Sequence, residues 1–214
     1  MTLATPIPLK DQQHCVLDGA SWELYESLLA DPACQNLRIT YDNGELEMMA
    51  PLPVHEVWKK VISRLIESMA MDLPVRVVPW GSTTFRRKDL GKGLEPDDCY
   101  CVQNAKAVIG KTEFDSAVDP PPDMAIEIDI THRSVPREPI YAALGIRELW
   151  RFNGRKLQVL ILDADCKHQP VDSSSAFPFL PISKFEQFVF RLAEGDPLEV
   201  FPAFRAWLAT LPKP

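Results

Sequence analysis

The chain lacks the features that mark membrane, secreted and disulfide-stabilised proteins. Its 214 residues contain no apolar run approaching the roughly 20 residues that a membrane span requires. The N-terminal stretch MTLATPIPLKDQQ has neither the basic start nor the apolar core of a signal peptide. The five cysteines are odd in number and irregularly spaced, which argues against a disulfide framework and favours a reducing compartment. These absences predict a cytoplasmic protein with no membrane partner.

A basic excess is also missing. The net charge of −7 argues against a generic nucleic-acid coat protein. It does not exclude an enzyme that acts on nucleic acid, because a metal site concentrates acids and bound cations offset them. The length and the hydrophobic content of 46% predict a single domain over 1–214 with a packed core.

Local patterns predict helices and strands in an irregular order. The predicted elements are a helix over 21–30, a hairpin over 37–50 that turns at Asn43-Gly44, a helix over 54–71, strands over 75–79, 82–87, 93–102 and 123–130, a helix over 137–144, a hairpin that turns at Asn153-Gly154, and two C-terminal helices that start with capping boxes at Ser183 and Asp196. This order predicts a mixed α/β fold of the α+β kind, with a mixed sheet flanked by helices and no regular βαβ alternation.

The strand predicted over 123–130 has two very different faces. Alternation places Met124, Ile126, Ile128 and Ile130 on one face, which is wholly apolar. The other face carries Asp123, Ala125, Glu127 and Asp129, three of them acidic with no basic residue among them. Such a face either lies in water, as polar faces of antiparallel sheets often do, or surrounds something positive.

A second acid can be brought to the same place. Pro96-Asp97 opens the segment DDCYCV, and pairing of this segment with strand 123–130 would place Asp97 beside Glu127. Two carboxylates against an apolar sheet suit a hard dication, and Mg²⁺ prefers carboxylate oxygens with several waters. The alternative is that Asp97 is an ordinary acid at a strand entry, which is common.

Five ordered blocks of the chain resemble a known family. They are LPVHEVWKKVISRLIE, GSTTFRRKDLGKGLEPDDCY, PPPDMAIEIDITHRS, IYAALGIRELWRFNGRKLQV and FPFLPISKFEQF. Together with the Pro-Asp and the acid about 30 positions later, they resemble the PD-(D/E)XK nuclease superfamily. The closer resemblance is to the Uma-type family of small bacterial proteins described as putative restriction endonucleases.

The resemblance implies a fold, a reaction and a metal. It implies a restriction-endonuclease-like core over about 37–190, with helical additions at both ends. Asp97 and Glu127 would hold Mg²⁺, with Mn²⁺ as an alternative, and Asp129 could extend the metal shell. The reaction would be hydrolysis of DNA phosphodiester bonds, which a carboxylate-held dication promotes. Symmetric cutting of both strands would favour a homodimer.

The chain departs from the superfamily at the cationic residue. The third position of the acid-x-lysine step is Asp129 rather than lysine. In the Uma-type family the lysine lies on the following helix, one turn before a tyrosine, and here that position is Arg137. Arginine retains a charge that can bind phosphate, but it does not lose a proton and so cannot act as a base. The alternative is that Arg137 is a solvent-facing helix charge.

Other residues have two interpretations. His55 matches a histidine that family members carry at the start of this helix, although a single histidine is more often structural. The basic cluster Arg86, Arg87, Lys88 and Lys92 could be a phosphate clamp that binds DNA or merely a charged loop.

Two further functions compete with the nuclease hypothesis. The arginine in place of lysine and the acidic net charge favour a catalytically inactive, nuclease-like binding or assembly module. A carboxylate-pair glycosidase would need a broad aromatic cleft, for which the sequence offers no platform. Zinc binding at Cys99-x-Cys101 is not supported, because no second pair stands at ligand spacing.

Overall fold

The computed structural model describes residues 14–115, 118–130 and 134–212. Within these ranges the chain forms eleven strands and six helices. The strands are β1 (His14–Leu17), β2 (Arg38–Asp42), β3 (Glu45–Met49), β4 (Val78–Pro79), β5 (Phe85–Arg87), β6 (Lys92–Leu94), β7 (Asp98–Cys101), β8 (Met124–Ile128), β9 (Glu148–Phe152), β10 (Leu157–Leu162) and β11 (His168–Val171). The helices are α1 (Trp22–Ala30), α2 (Pro53–Asp72), α3 (Ala105–Val108), α4 (Glu138–Ala143), α5 (Ile182–Glu194) and α6 (Pro197–Leu208).

The described strands divide between two sheets. One is antiparallel, with the order β1-β3-β2-β6-β5. The other has the order β11-β10-β9-β8-β7-β4 and is mixed, because β8 and β9 are parallel while its other pairs are antiparallel. The predicted mixed α+β class is confirmed, although the strands form two sheets rather than one.

Both predicted hairpins form where glycine permits the required backbone. Asn43 and Gly44 have φ values of 47° and 104°, the left-handed conformation that a tight hairpin turn needs. They join β2 to β3, with Asp42 opposite Glu45. Asn153 caps the second turn, since its side-chain oxygen accepts the N–H groups of Arg155 and Lys156. Local turn chemistry therefore sets both registers.

The mixed sheet is covered on both faces, which explains why every residue of β8 is buried. On one face, Ile126 and Ile128 pack with the apolar stripe of α2, including Ile62 and Leu65, and with α5 and α6. On the other face, Ala125 belongs to a second core with residues of α4. The acidic face of β8 is therefore interior, and the water-facing interpretation of Glu127 is wrong.

Two predictions of element boundaries are wrong for identifiable reasons. The predicted strand 93–102 is two strands in different sheets, β6 and β7, because Glu95-Pro96 interrupts it and proline cannot donate to a sheet ladder. Helix α5 starts at Ile182 with Pro181 as N-cap, two residues earlier than a Ser183 cap would allow. The Glu186 carboxylate instead accepts the N–H of Leu157 at 3.2 Å, tying α5 to β10.

The other C-terminal cap forms at the predicted residue. The Asp196 side chain accepts the N–H of Leu198, with Pro197 at the first helical position of α6. Among the helices of the described residues, none is long and apolar enough to cross a bilayer.

Candidate active site

Asp97 and Glu127 come together on one face of the mixed sheet. Strands β7 and β8 pair antiparallel, with Asp98 opposite Ile126 and Cys99 opposite Ala125. Continuing this register by one residue places Asp97 opposite Glu127, on the same face as Cys99 and Ala125. The Asp97 carboxylate also accepts the N–H of Ile128 at 2.7 Å. The two residues are only 4% and 3% exposed, so both acids lie in the protein interior.

A cation reaches this acidic pair from α4. Arg137 is the N-cap residue of α4, and its Nη1 donates to Oε1 of Glu127 at 2.9 Å. The same nitrogen lies 3.3 Å from the carbonyl oxygen of Glu95, in the turn before β7. Because Arg137 is only 5% exposed, the alternative interpretation as a solvent-facing helix charge is wrong.

Tyr141 lies one turn after Arg137 and donates its hydroxyl to the same Glu127 oxygen. Burial raises the pKa of the Tyr141 phenol well above its usual value, and the Glu127 carboxylate raises it further. The phenol therefore stays protonated and acts as a hydrogen-bond donor to the acid.

Burial by itself would lower the pKa of Arg137, but the negative charges of Glu127 and Asp97 raise it above its ordinary value. The guanidinium is thus held as a cation between two acids. It can stabilise negative charge, but it cannot serve as a proton acceptor.

The other two predicted site residues are Asp129 and His55. Asp129 follows the last residue of β8, is half-buried, and donates its backbone N–H to Phe152 at 2.7 Å. His55 is buried in the first turn of α2, where its Nδ1 accepts the N–H of Leu52 at 3.2 Å. That bond stabilises the helix start.

The basic cluster of residues 86–92 lies on β5, β6 and the turn between them. Its cations pair with carboxylates as Arg86–Glu26, Arg87–Asp89, Lys88–Glu23 and Lys92–Asp42. The first three cations are exposed, so their ion pairs are weak. Other anions can therefore replace their carboxylate partners. A phosphate clamp here remains a prediction.

The structure also gathers charged residues that sequence reasoning missed. Next to Asp97, the side chains of Arg38, Glu56, Lys59, Ser82 and Glu95 form a connected polar group, here named the Ser82 cluster. Ser82 Oγ lies 3.4 Å from the carbonyl oxygen of Asp97. Its members come from β2, α2, the β4–β5 loop and the turn before β7, and no sequence pattern connects these four segments.

A further buried acid, Glu47, anchors the chain that leads to Arg137. It lies on β3, is 1% exposed, and its Oε1 accepts the N–H of Ser134 at 2.7 Å. The same oxygen lies 2.8 Å from Nε2 of His14. Because Ser134 precedes Arg137 by three residues, Glu47 positions the segment that carries the cation. Alternation along the Asn43-Gly44 hairpin predicts which sheet face carries Glu47. It does not predict that Ser134 lies against that face.

The acidic pair fits a magnesium ion by donor type. Asp97 and Glu127 supply hard carboxylate oxygens, which Mg²⁺ prefers. In the described part of the chain no group of three or more histidine, cysteine or acidic side chains could hold a metal ion. Two carboxylates nevertheless suffice for Mg²⁺, which usually completes its shell with waters and substrate phosphates.

The mixed α+β architecture, with two sheets flanked by helices, is consistent with a restriction-endonuclease-like fold. A family model described as Uma2, "Putative restriction endonuclease", matches residues 22–193. The chain therefore belongs to the Uma2 family. A comparison with curated proteins finds no match.

Proposed function

We propose that this protein is a Mg²⁺-dependent DNA endonuclease that hydrolyses phosphodiester bonds at Asp97 and Glu127. The observation that carries the proposal is the buried pair of carboxylates on one face of the β7–β8 pair. Acids are expensive to bury together; Arg137 offsets one of the two charges, and a bound dication would offset the rest. Membership in a family of putative restriction endonucleases supports DNA as the substrate.

Each residue of the site has a proposed role. Asp97 and Glu127 would hold the metal, and Asp129 would support it from the end of β8. When bound, the metal would polarise the phosphodiester and lower the pKa of a bound water. Arg137 would stabilise the charge that develops on the phosphate, while Tyr141 orients Glu127 by donating to it. His55, near the start of α2, would contact the substrate or the attacking water.

Nicking of supercoiled plasmid tests the proposal. We expect nicking with Mg²⁺ or Mn²⁺, none with EDTA, and none from Asp97→Asn. Asparagine keeps an oxygen that can accept the N–H of Ile128, so this variant should fold. The matched control is Asp98→Asn, a buried neighbour that faces α2 and accepts from Ser63 at 2.5 Å and Tyr100 at 3.0 Å. It should lose stability but retain metal-dependent nicking.

A second function, an inactive binding or assembly module, is favoured by one contact. One of the two Glu127 oxygens, Oε1, already accepts from both Arg137 and Tyr141. If these bonds exclude a metal, Mn²⁺ will not raise the melting temperature of the protein. A ligand bound to the folded state raises stability by RT ln(1 + [L]/Kd), so a bound metal would be detected. Plasmid nicking by the Asp97→Asn variant would contradict the nuclease proposal, and a missing thermal shift would favour the module.

A further inference from the structure

The Ser82 cluster surrounds one hydroxyl with two cations. Ser82 Oγ accepts from Lys59 Nζ at 3.0 Å and from Arg38 Nη2 at 3.2 Å. Its proton points to the Asp97 carbonyl oxygen, 3.4 Å away. A serine hydroxyl has one proton and two lone pairs, so these three contacts use its full capacity. The hydroxyl therefore fixes both cations beside the acidic pair.

The two cations are mostly shielded from solvent. The side chains of Arg38 and Lys59 are 14% and 11% exposed. Shielded cations of this kind require anionic partners, because an unpaired charge in the interior is costly. The Glu95 carboxylate is 15% exposed and forms an ion pair with Nη1 of Arg38. Arg38 Nε is buried and has no hydrogen-bond partner among the described residues.

Glu56 is the only other acid at the cluster within the described chain, and it is loosely held. Its carboxylate is 3.7 Å from Arg38 Nη2 and 3.5 Å from Lys59 Nζ. Both distances exceed those of strong charge-assisted hydrogen bonds. Its side chain is 43% exposed and sits in the first turn of α2, so it can swing into solvent. The cations are thus incompletely neutralised on the side where Glu56 lies.

We infer that Arg38 and Lys59 form a subsite for one backbone phosphate of the DNA strand, and that the Glu56 carboxylate occupies this subsite when DNA is absent. The inference rests on the proposed function and adds a binding site to it. A phosphodiester has two non-bridging oxygens that share one negative charge, and these match the planar guanidinium and the compact ammonium. The bound phosphate would be a neighbour of the one held at Asp97 and Glu127, since Ser82 joins the cluster to the Asp97 backbone.

A purely structural cluster would respond differently to substitution. If Glu56 only stabilised the cations, its removal would leave DNA binding unchanged or weaken it. If Glu56 competes with phosphate, its removal strengthens DNA binding, whereas removal of Lys59 or Arg38 weakens it. Opposite effects of the Glu56 and the Lys59 or Arg38 substitutions on the affinity for DNA would therefore show that Glu56 competes with phosphate.

The experiment measures binding of a labelled DNA duplex by fluorescence anisotropy over a range of salt concentrations. The full chain carries Asp97→Asn throughout, to prevent cleavage. We expect Lys59→Met and Arg38→Met each to weaken binding by about tenfold, the loss of one charge-assisted contact. Each should also reduce the slope of log affinity against log salt by about 0.9, because one fewer counterion is released. Glu56→Gln should bind several-fold more tightly.

Lys60→Met is the matched control, because Lys60 is an exposed lysine on the same helix, about 100° around it from Lys59. It should leave the salt slope and the affinity nearly unchanged. Glu56→Gln alters a half-exposed side chain, so it still decides the question if the Lys59 variant does not fold. A Lys59→Arg variant should recover most of the affinity.

Two results would contradict the proposed phosphate subsite. Only the second of them also contradicts the proposed nuclease function. If DNA binds with the same salt slope in the Lys59 and Arg38 variants and Glu56→Gln gives no tighter binding, the subsite is wrong and the nuclease proposal stands. If the parent chain binds neither duplex nor single-stranded DNA at low salt, the subsite and the proposed function both fail.

Discussion

Arg137 and Glu127 form a buried ion pair near the C-terminal end of β8, with Nη1 of the arginine 2.9 Å from Oε1 of the acid. The two side chains are 5% and 4% exposed. This pair explains the unusual strand MAIEI, whose acid faces the interior rather than water. It also places a permanent cation beside the acidic pair, so any proton transfer in the proposed reaction must involve another group.

The ion pair predicts strongly non-additive effects on stability. Glu127→Gln or Arg137→Met alone leaves a buried charge without its partner and should cost about 3–5 kcal/mol in the free energy of unfolding. The double variant removes both charges and should cost much less than the sum of the two single values. Urea unfolding followed by circular dichroism measures all four proteins. Additive losses would show that the two side chains do not depend on each other.

Stability should fall at alkaline pH because three buried tyrosines resist ionisation. Burial raises the pKa of Tyr25, Tyr100 and Tyr141 above the ordinary value. Above about pH 10 the unfolded chain releases these protons while the folded chain keeps them. The unfolded state then binds fewer protons, so the free energy of unfolding decreases as pH rises.

Absorbance at 295 nm against pH, recorded beside circular dichroism, checks this prediction. The signal of the three tyrosines should appear only with unfolding. Tyr141→Phe should reduce the pH dependence, since one of the protected phenols is gone. Ionisation of all three phenols in the folded protein near pH 10 would contradict it.

Asp123 should be important for folding but not for the reaction. Its Oδ2 accepts the N–H groups of Val102 at 2.7 Å and Asn104 at 2.9 Å, which holds the chain after β7 against the start of β8. Asp123→Ala should lower the free energy of unfolding by about 1–3 kcal/mol, because two partly buried N–H donors lose their acceptor. Asp123→Asn keeps an acceptor oxygen and should cost less. Metal-dependent plasmid nicking by Asp123→Asn should match the wild type, and its loss would assign this acid to the site.

The cysteines should fall into reactive and protected groups. Cys15 and Cys166 are exposed, whereas Cys99 and Cys101 are buried. Burial raises the pKa of Cys99 well above its ordinary value and that of Cys101 to about 12, so few thiolates form. A thiol reagent such as DTNB should label Cys15 and Cys166 quickly in the native protein, and Cys99 and Cys101 only in denaturant. Mass spectrometry of the labelled peptides identifies them, and early labelling of Cys99 would contradict the packing described for β7.

The elements that form as predicted are those with strong local signals. Asn43-Gly44 and Asn153-Gly154 make hairpins because these residues tolerate the turn backbone. The continuous apolar stripe of α2 and the alternation of β8 depend only on the helical and strand periods. The same alternation identified Glu127 as a residue of interest, whereas Arg137 was identified through the family resemblance. Neither signal predicted the bond between them.

Sequence alone thus determined the mixed α+β class, the local elements and the acids of the candidate site, because periodicity and turn chemistry act over a few residues. Only the tertiary structure decided that β6 and β7, a few residues apart, belong to different sheets, and that Arg38, Lys59 and Ser82 meet beside Asp97. Those contacts join segments distant in the chain. Their geometry depends on how the helices and sheets pack together, which no local pattern of residues encodes.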